Sequence, residues 1–142
     1  MSGGTKHKAI ATWLALTVGA FGLHRFYLHG LKDRWAWLFP LPTLLGLVGV
    51  QRMDHLGQDD RTAWLLIPLL GVSLVAALIG GIVYGLTPDE RWNLRFNTGR
   101  TPSTSGWVAI IGVVLCLLFG GTALMATIAF SAQRYFEVQA DQ

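Results

Sequence analysis

The run TAWLLIPLLGVSLVAALIGGIVYGL, residues 62–86, contains no charged side chain and decides the fold class. As a helix rising about 1.5 Å per residue, it more than covers the ~30 Å hydrocarbon layer of a bilayer. A second run, GWVAIIGVVLCLLFGGTALMATIAF, residues 106–130, does the same. Charge is absent from Thr62 through Pro88 and again from Thr101 through Gln133. The 142-residue chain is 52% hydrophobic and 13% charged, about half the charge of a typical soluble domain. Its mean hydropathy is +0.46. A water-soluble fold of this size has too little interior to hide that much apolar surface, so the composition predicts an integral membrane protein.

Outward from these two runs the pattern weakens. Ala9 to Leu23 is uncharged and is followed by His24-Arg25 and then by Phe26-Tyr27-Leu28. Read to Leu28, it predicts a span over about 9–28, with Arg25 reaching an interface. Lys6 and Lys8 ahead of an apolar run would also suit a signal peptide, but no small-x-small cleavage site precedes His24-Arg25. Trp35 to Val50 holds Pro40 and Pro42; it predicts a short span over about 35–51, with a re-entrant or kinked segment as the alternative. The expectation is an all-α bundle of four transmembrane helices in two consecutive hairpins, 5–55 and 62–130, bridged by Asp59-Asp60-Arg61. In the loop 87–100, Thr87-Pro88-Asp89-Glu90 reads as a helix start. Trp92 and Phe96, like Arg91 and Arg95, lie four apart, which suits either a short helix on the membrane surface or a solvated loop. Trp35, Trp37, Trp92 and Trp107 are the expected interface belt.

Helices in lipid associate by close packing rather than by burial from water. Ser73, Ala77, Gly81 and Gly85 form one row of small residues at four-residue spacing, and Gly112, Cys116 and Gly120 form another. These rows are expected to face one another or a second copy of the chain. The lone Cys116 excludes an internal disulfide framework and a cysteine-based zinc site, and is read as a packing residue.

Gly22-Leu23-His24-Arg25-Phe26-Tyr27-Leu28 is the most distinctive string. It follows a basic lead-in, Lys6 and Lys8, and precedes Gly46, Gly49 and Asp54. Over residues 5–55 this resembles the TM-two domain family, in which two membrane helices flank a Gly-x-His-Arg-Phe-Tyr-Leu turn and the second closes with an aspartate. Three features depart from the family: His29 before Gly30, a Lys32-Asp33-Arg34 turn without glycine, and Gln51-Arg52 ahead of Asp54. The resemblance implies a membrane hairpin with no established catalytic activity. Hairpin geometry would bring Asp54 back to the face where the chain starts, which predicts an Asp54–Lys8 or Asp54–Lys6 clamp. Arg25 would then meet phosphates, Asp33 or Asp89-Glu90.

The remaining chemistry is sparse. His24 and His29 are five residues apart, about 500° around a helix, a poor angle for one metal ion. No nucleophile, base and orienting group share a motif, so no enzyme activity, metal or cofactor is expected. A net charge of +3, from 11 Lys+Arg against 8 Asp+Glu, is too small an excess for a nucleic-acid binder. The leading expectation is a non-enzymatic module that binds lipid, itself or another membrane protein; the alternative is a subunit of a homo-oligomeric pore or small transporter. Short loops suggest a bacterial inner membrane. Four spans would set five positive residues against six across the bilayer, which decides nothing. The family's arginine-bearing turn is thought to be cytoplasmic, which would put both termini outside.

Overall fold

The two charge-free runs become α5 (Arg61–Leu86) and α7 (Trp107–Ala140) in a computed structural model of the chain, which describes residues 4–142. Every other regular element is helical: α1 (Lys8–Val18), α2 (Leu23–His29), α3 (Arg34–Trp37), α4 (Pro40–Leu56) and α6 (Asp89–Phe96), with one 3-10 turn at Gly19–Phe21. No strand occurs among the described residues. α5 and α7 are the two helices long and apolar enough to cross a membrane, each with a mean hydropathy of 2.5 in its most apolar window. Only 22% and 17% of those windows are buried. The core helix of a water-soluble protein would be mostly buried; here Val114, Leu117, Leu118, Phe119 and Met125 all point outward.

α5 is the axis of the bundle, and α7 runs antiparallel along its whole length. A Cβ built on Gly81 would lie 2.7 Å from Cys116 Sγ, one on Gly120 would lie 3.2 Å from Leu78 Cβ, and Arg134 stacks over Trp64 at the far end. α1 sits in the groove between them. Gly81 also abuts Ala15, while Gly112 abuts Thr12 and Trp13. Trp13 Nε1 donates to Val108 O at 3.0 Å, and Thr12 Oγ1 to Gly81 O at 3.3 Å. The two rows of small residues therefore approach each other at Gly81 and Cys116 and hold α1 between them.

The first segment departs from a single span over 9–28. α1 stops at Val18, covering about 16 Å, and the chain reverses. Gly22 makes the reversal, with φ +78 and its N–H bonded to Gly19 O at 2.8 Å. A side chain there would be both strained and blocked, since its Cβ would lie 2.5 Å from Ala36 O. α2 then runs back beside α1, so that Leu28 O accepts from Lys6 Nζ and Tyr27 OH accepts from His7 N at 3.0 Å. Thr43 Oγ1 donates to Ala20 O, one of the carbonyls at the break.

α3 and α4 descend again as one helix bent at Leu38–Phe39. Pro40 and Pro42 fall in the first turn of α4, where missing N–H groups are tolerated, so they start this helix rather than break it. Of the two readings of residues 35–51, the bent one describes this segment. α4 lies antiparallel on α5 with Gly46 and Gly49 against Leu70, Leu66 and Ile67. Arg52 closes the hairpin on Asp60, Nε to Oδ2 2.7 Å, while Asp60 Oδ1 caps α5 by accepting from Thr62 N.

Because α1 turns back halfway along α5, two consecutive full hairpins do not form. α1 begins beside the C-terminal end of α5, and α7 finishes beside its N-terminal end. The start of the described residues, at Gly4, and the C-terminus therefore lie at opposite ends of the bundle, not at one.

Candidate functional site

The polar residues concentrate where the N-terminal segment, α2, α6 and the C-terminal end of α5 meet. α6 is a helix, but it is not laid on a lipid surface by its tryptophan. Trp92 is 1% exposed and packs within a cluster of Ala11, Leu28, Tyr84 and Phe96. Its Nε1 donates to Lys6 O at 2.7 Å. Asn97 grips the same residue from both sides: Lys6 N donates to Asn97 Oδ1 at 2.8 Å, and Asn97 Nδ2 donates to Lys6 O at 3.0 Å. Ser103 Oγ and His7 Nδ1 add a contact at 3.0 Å. Trp35, Trp37 and Trp107 are exposed, as an interface belt requires; Trp92 is a core residue that joins α6 to the N-terminal segment.

The Asp54 clamp is absent. Lys8 Nζ instead meets Asp89 Oδ1 at 2.8 Å and donates to Thr87 O at 2.7 Å, and Lys6 Nζ is taken by Leu28 O. Asp54 is exposed at the other end of the bundle and makes no ion pair among the described residues. The reason is directional: α1 and α4 both run antiparallel to α5, so α4 carries Asp54 away from Lys8. Asp89 also accepts from Ser105 N and Oγ. The Lys8 ammonium first, and then the Ser105 hydroxyl, hold its carboxyl well below the usual carboxylate range, at about 2. The unfolded carboxyl would titrate near its ordinary value. This contact therefore stabilises fully above about pH 4 and is lost only as pH falls through the folded value.

The string Gly22–Leu28 lies at the turned-back helix, and nearly all of it builds the turn. Gly22 makes the reversal. Arg25, whose expected partners included Asp33, pairs with it through Nη2 and Nε to Oδ2 at 2.9 and 3.0 Å. Asp33 in turn caps α3 by accepting from Trp35 N. Phe26 packs edge-on against Trp37 with ring centres 5.2 Å apart. Leu28 enters the Trp92 cluster.

His24 is the exception. It is 1% exposed, wedged between Phe39 and Tyr84, and its Nδ1 has no hydrogen-bond partner. A buried polar atom left unpaired costs on the order of 1–3 kcal/mol, and His24 is the residue of the string that carries one. No three His, Cys, Asp or Glu side chains converge as a metal site among the described residues. Cys116 is buried with its Sγ against Thr12 O.

Sequence reasoning missed several members of this end. Asn97 and Ser103 carried no signal, being ordinary polar residues in an irregular segment. Asp89 was singled out only as part of a helix start and as a possible partner of Arg25; its pairing with Lys8 follows from the reversal at Gly22. No protein-family model matches the chain, and no curated protein or solved structure matches it.

Proposed function

We propose that this chain is a multi-pass protein of a bacterial inner membrane or comparable plasma membrane, acting as a non-enzymatic module that binds a membrane partner or lipid. In this reading α3–α4, α5 and α7 cross the bilayer, while α1–α2 enters from one side and returns to it. That arrangement replaces four crossings by three and a re-entrant hairpin. The observation that carries it is the outward apolar surface of α5 and α7, which lipid would solvate and water would not. The likeness to the TM-two domain family over residues 5–55 is kept as part of the proposal, with Gly22–Leu28 as its most distinctive stretch.

Charge supports an orientation. The end holding the chain's start carries Lys6, Lys8, Arg25, Lys32, Arg34, Arg91, Arg95 and Arg100, whereas the other carries Arg52, Arg61 and Arg134. Eight positive residues against three favour the N-terminal end in the cytoplasm and the C-terminus outside, in place of both termini outside.

One observation favours the second reading, a homo-oligomeric pore or small transporter. A helix broken partway along the bundle, with an unpaired histidine beside the break, resembles the way transporters build midplane sites. Two measurements separate the readings. The module predicts chemical cross-links to other membrane proteins in native membranes, and ion flux in liposomes no greater than in empty ones. Flux that His24→Leu abolishes would replace the module by the pore.

A further inference from the structure

At the end away from the polar platform, the first turns of α5 and the last turns of α7 part to leave a groove of about 530 Å³. It is lined by two cations, Arg61 and Arg134, two hydroxyl-bearing residues, Ser131 and Tyr135, and the apolar Leu65 and Pro68. Arg134 is held in place. Its guanidinium stacks 4.8 Å from the ring centre of Trp64 and 5.4 Å from that of Phe130, and Glu137 Oε2 takes its Nη1 at 2.6 Å. Its Nε is buried without a partner.

Glu137 pairs with Arg134, and Asp60 with Arg52. Arg61 makes no ion pair among the described residues and stands exposed where the apolar length of α5 begins. Past Pro68 the groove continues as a second apolar hollow of about 340 Å³ between α5 and α7, walled by Ile67, Ala126 and Phe130.

We infer that this groove binds one anionic phospholipid, its phosphate at Arg61 and Arg134 and one acyl chain along Leu65 and Pro68 into the second hollow. A phosphate would give Arg61 the ion-pair partner that no described side chain supplies. The Tyr135 hydroxyl, which accepts from Gln139 Nε2 and keeps its own proton to donate, suits a free phosphate oxygen, and the apolar hollow beyond Pro68 suits a chain rather than a free anion. The inference rests on the membrane reading above.

The test is native mass spectrometry of the full-length protein taken from nanodiscs of phosphatidylglycerol, of phosphatidylcholine, and of phosphatidylcholine with added inorganic phosphate. Retention of one phosphatidylglycerol per chain, at least tenfold over phosphatidylcholine, is expected, with no phosphate adduct in the third sample. Arg61→Gln should reduce that preference about tenfold, as loss of one charge-assisted contact would. Arg91→Gln, on the exposed face of α6, should leave it unchanged. Arg61 is exposed, so its variant should fold; equal melting in phosphatidylcholine discs checks this. Equal retention of the two lipids, an equal effect of Arg91→Gln, a phosphate adduct without lipid, or a second protein copy in place of lipid would each overturn the inference. A chain that leaves the discs for plain buffer would instead overturn the membrane reading beneath it.

Discussion

Trp92→Ala is expected to lower the stability of the detergent-solubilised protein by about 3–5 kcal/mol, the usual loss when a fully buried aromatic is truncated. The indole packs against Ala11 of α1, Leu28 of α2, Tyr84 of α5 and Phe96 of its own helix α6, so three other helices meet on it. Removing it would free α6 and the N-terminal segment together, since Lys6 is tied to both Trp92 and Asn97. Trp107→Ala serves as the comparison, because Trp107 is 77% exposed and truncating it should shift stability by less than about 1 kcal/mol. Trp92→Phe separates volume from hydrogen bonding. It keeps most of the ring but loses the donor to Lys6 O, which Asn97 still serves, so a loss of about 1 kcal/mol is expected. Denaturant titration followed by circular dichroism measures all three. Equal losses from Trp92→Ala and Trp107→Ala would mean that α6 is a surface element, as its spacing of Trp92 and Phe96 alone implied.

Gly46→Leu should cost about 3 kcal/mol or more and separate α4 from α5. A Cβ at this position would lie 2.6 Å from Leu70 N and 2.8 Å from Leu70 Cα. Both are backbone atoms of a long helix, so no rotamer change relieves the contact and the whole of α4 must shift. Overpacking of this kind reaches or exceeds the upper end of the usual 1–3 kcal/mol range. Gly121→Leu is the matched control on the outer face of α7, where nothing lies within 4 Å of a built Cβ. It removes a glycine from a helix interior and should be neutral or slightly stabilising. The same denaturation assay reads both. Similar behaviour of the two variants would show that α4 does not rest on α5 through Gly46.

What could be read in advance followed the physics that each residue obeys. Residues 62–86 and 106–130 are legible because length and absence of charge alone specify a helix that can span. Gly81 and Cys116 are legible because spacing of four places small side chains in a row. Residues 9–28 misled, because apolar character fixes depth but not direction. Only Gly22 marks the reversal, and a lone glycine in an apolar run looks the same whether it packs, bends or reverses. Once the reversal is missed, every later assignment of side is inverted: Asp54 is sent to Lys8, and the positive residues divide almost evenly when they are strongly partitioned. Pro40 and Pro42 left a short span and a kinked or re-entrant segment both open, because a proline reads alike inside a helix and in its first turn, and only the helix end at Trp37 shows that these two start α4. Trp92 misled for another reason. Tryptophan suits a membrane interface and a wet-edged core equally, and only the proximity of Lys6, 86 positions away, decides between them.

Opposite placement of the two termini is the consequence that depends on all of this at once. In a Cys116→Ala background, single cysteines introduced as Gly4→Cys and Gln142→Cys can be probed in intact cells with a membrane-impermeant maleimide. The three-crossing arrangement with a returning α1–α2 hairpin predicts that Gln142→Cys reacts from outside, while Gly4→Cys reacts only after the membrane is opened. Equal accessibility of the two positions would mean an even number of crossings and would contradict the reversal at Gly22.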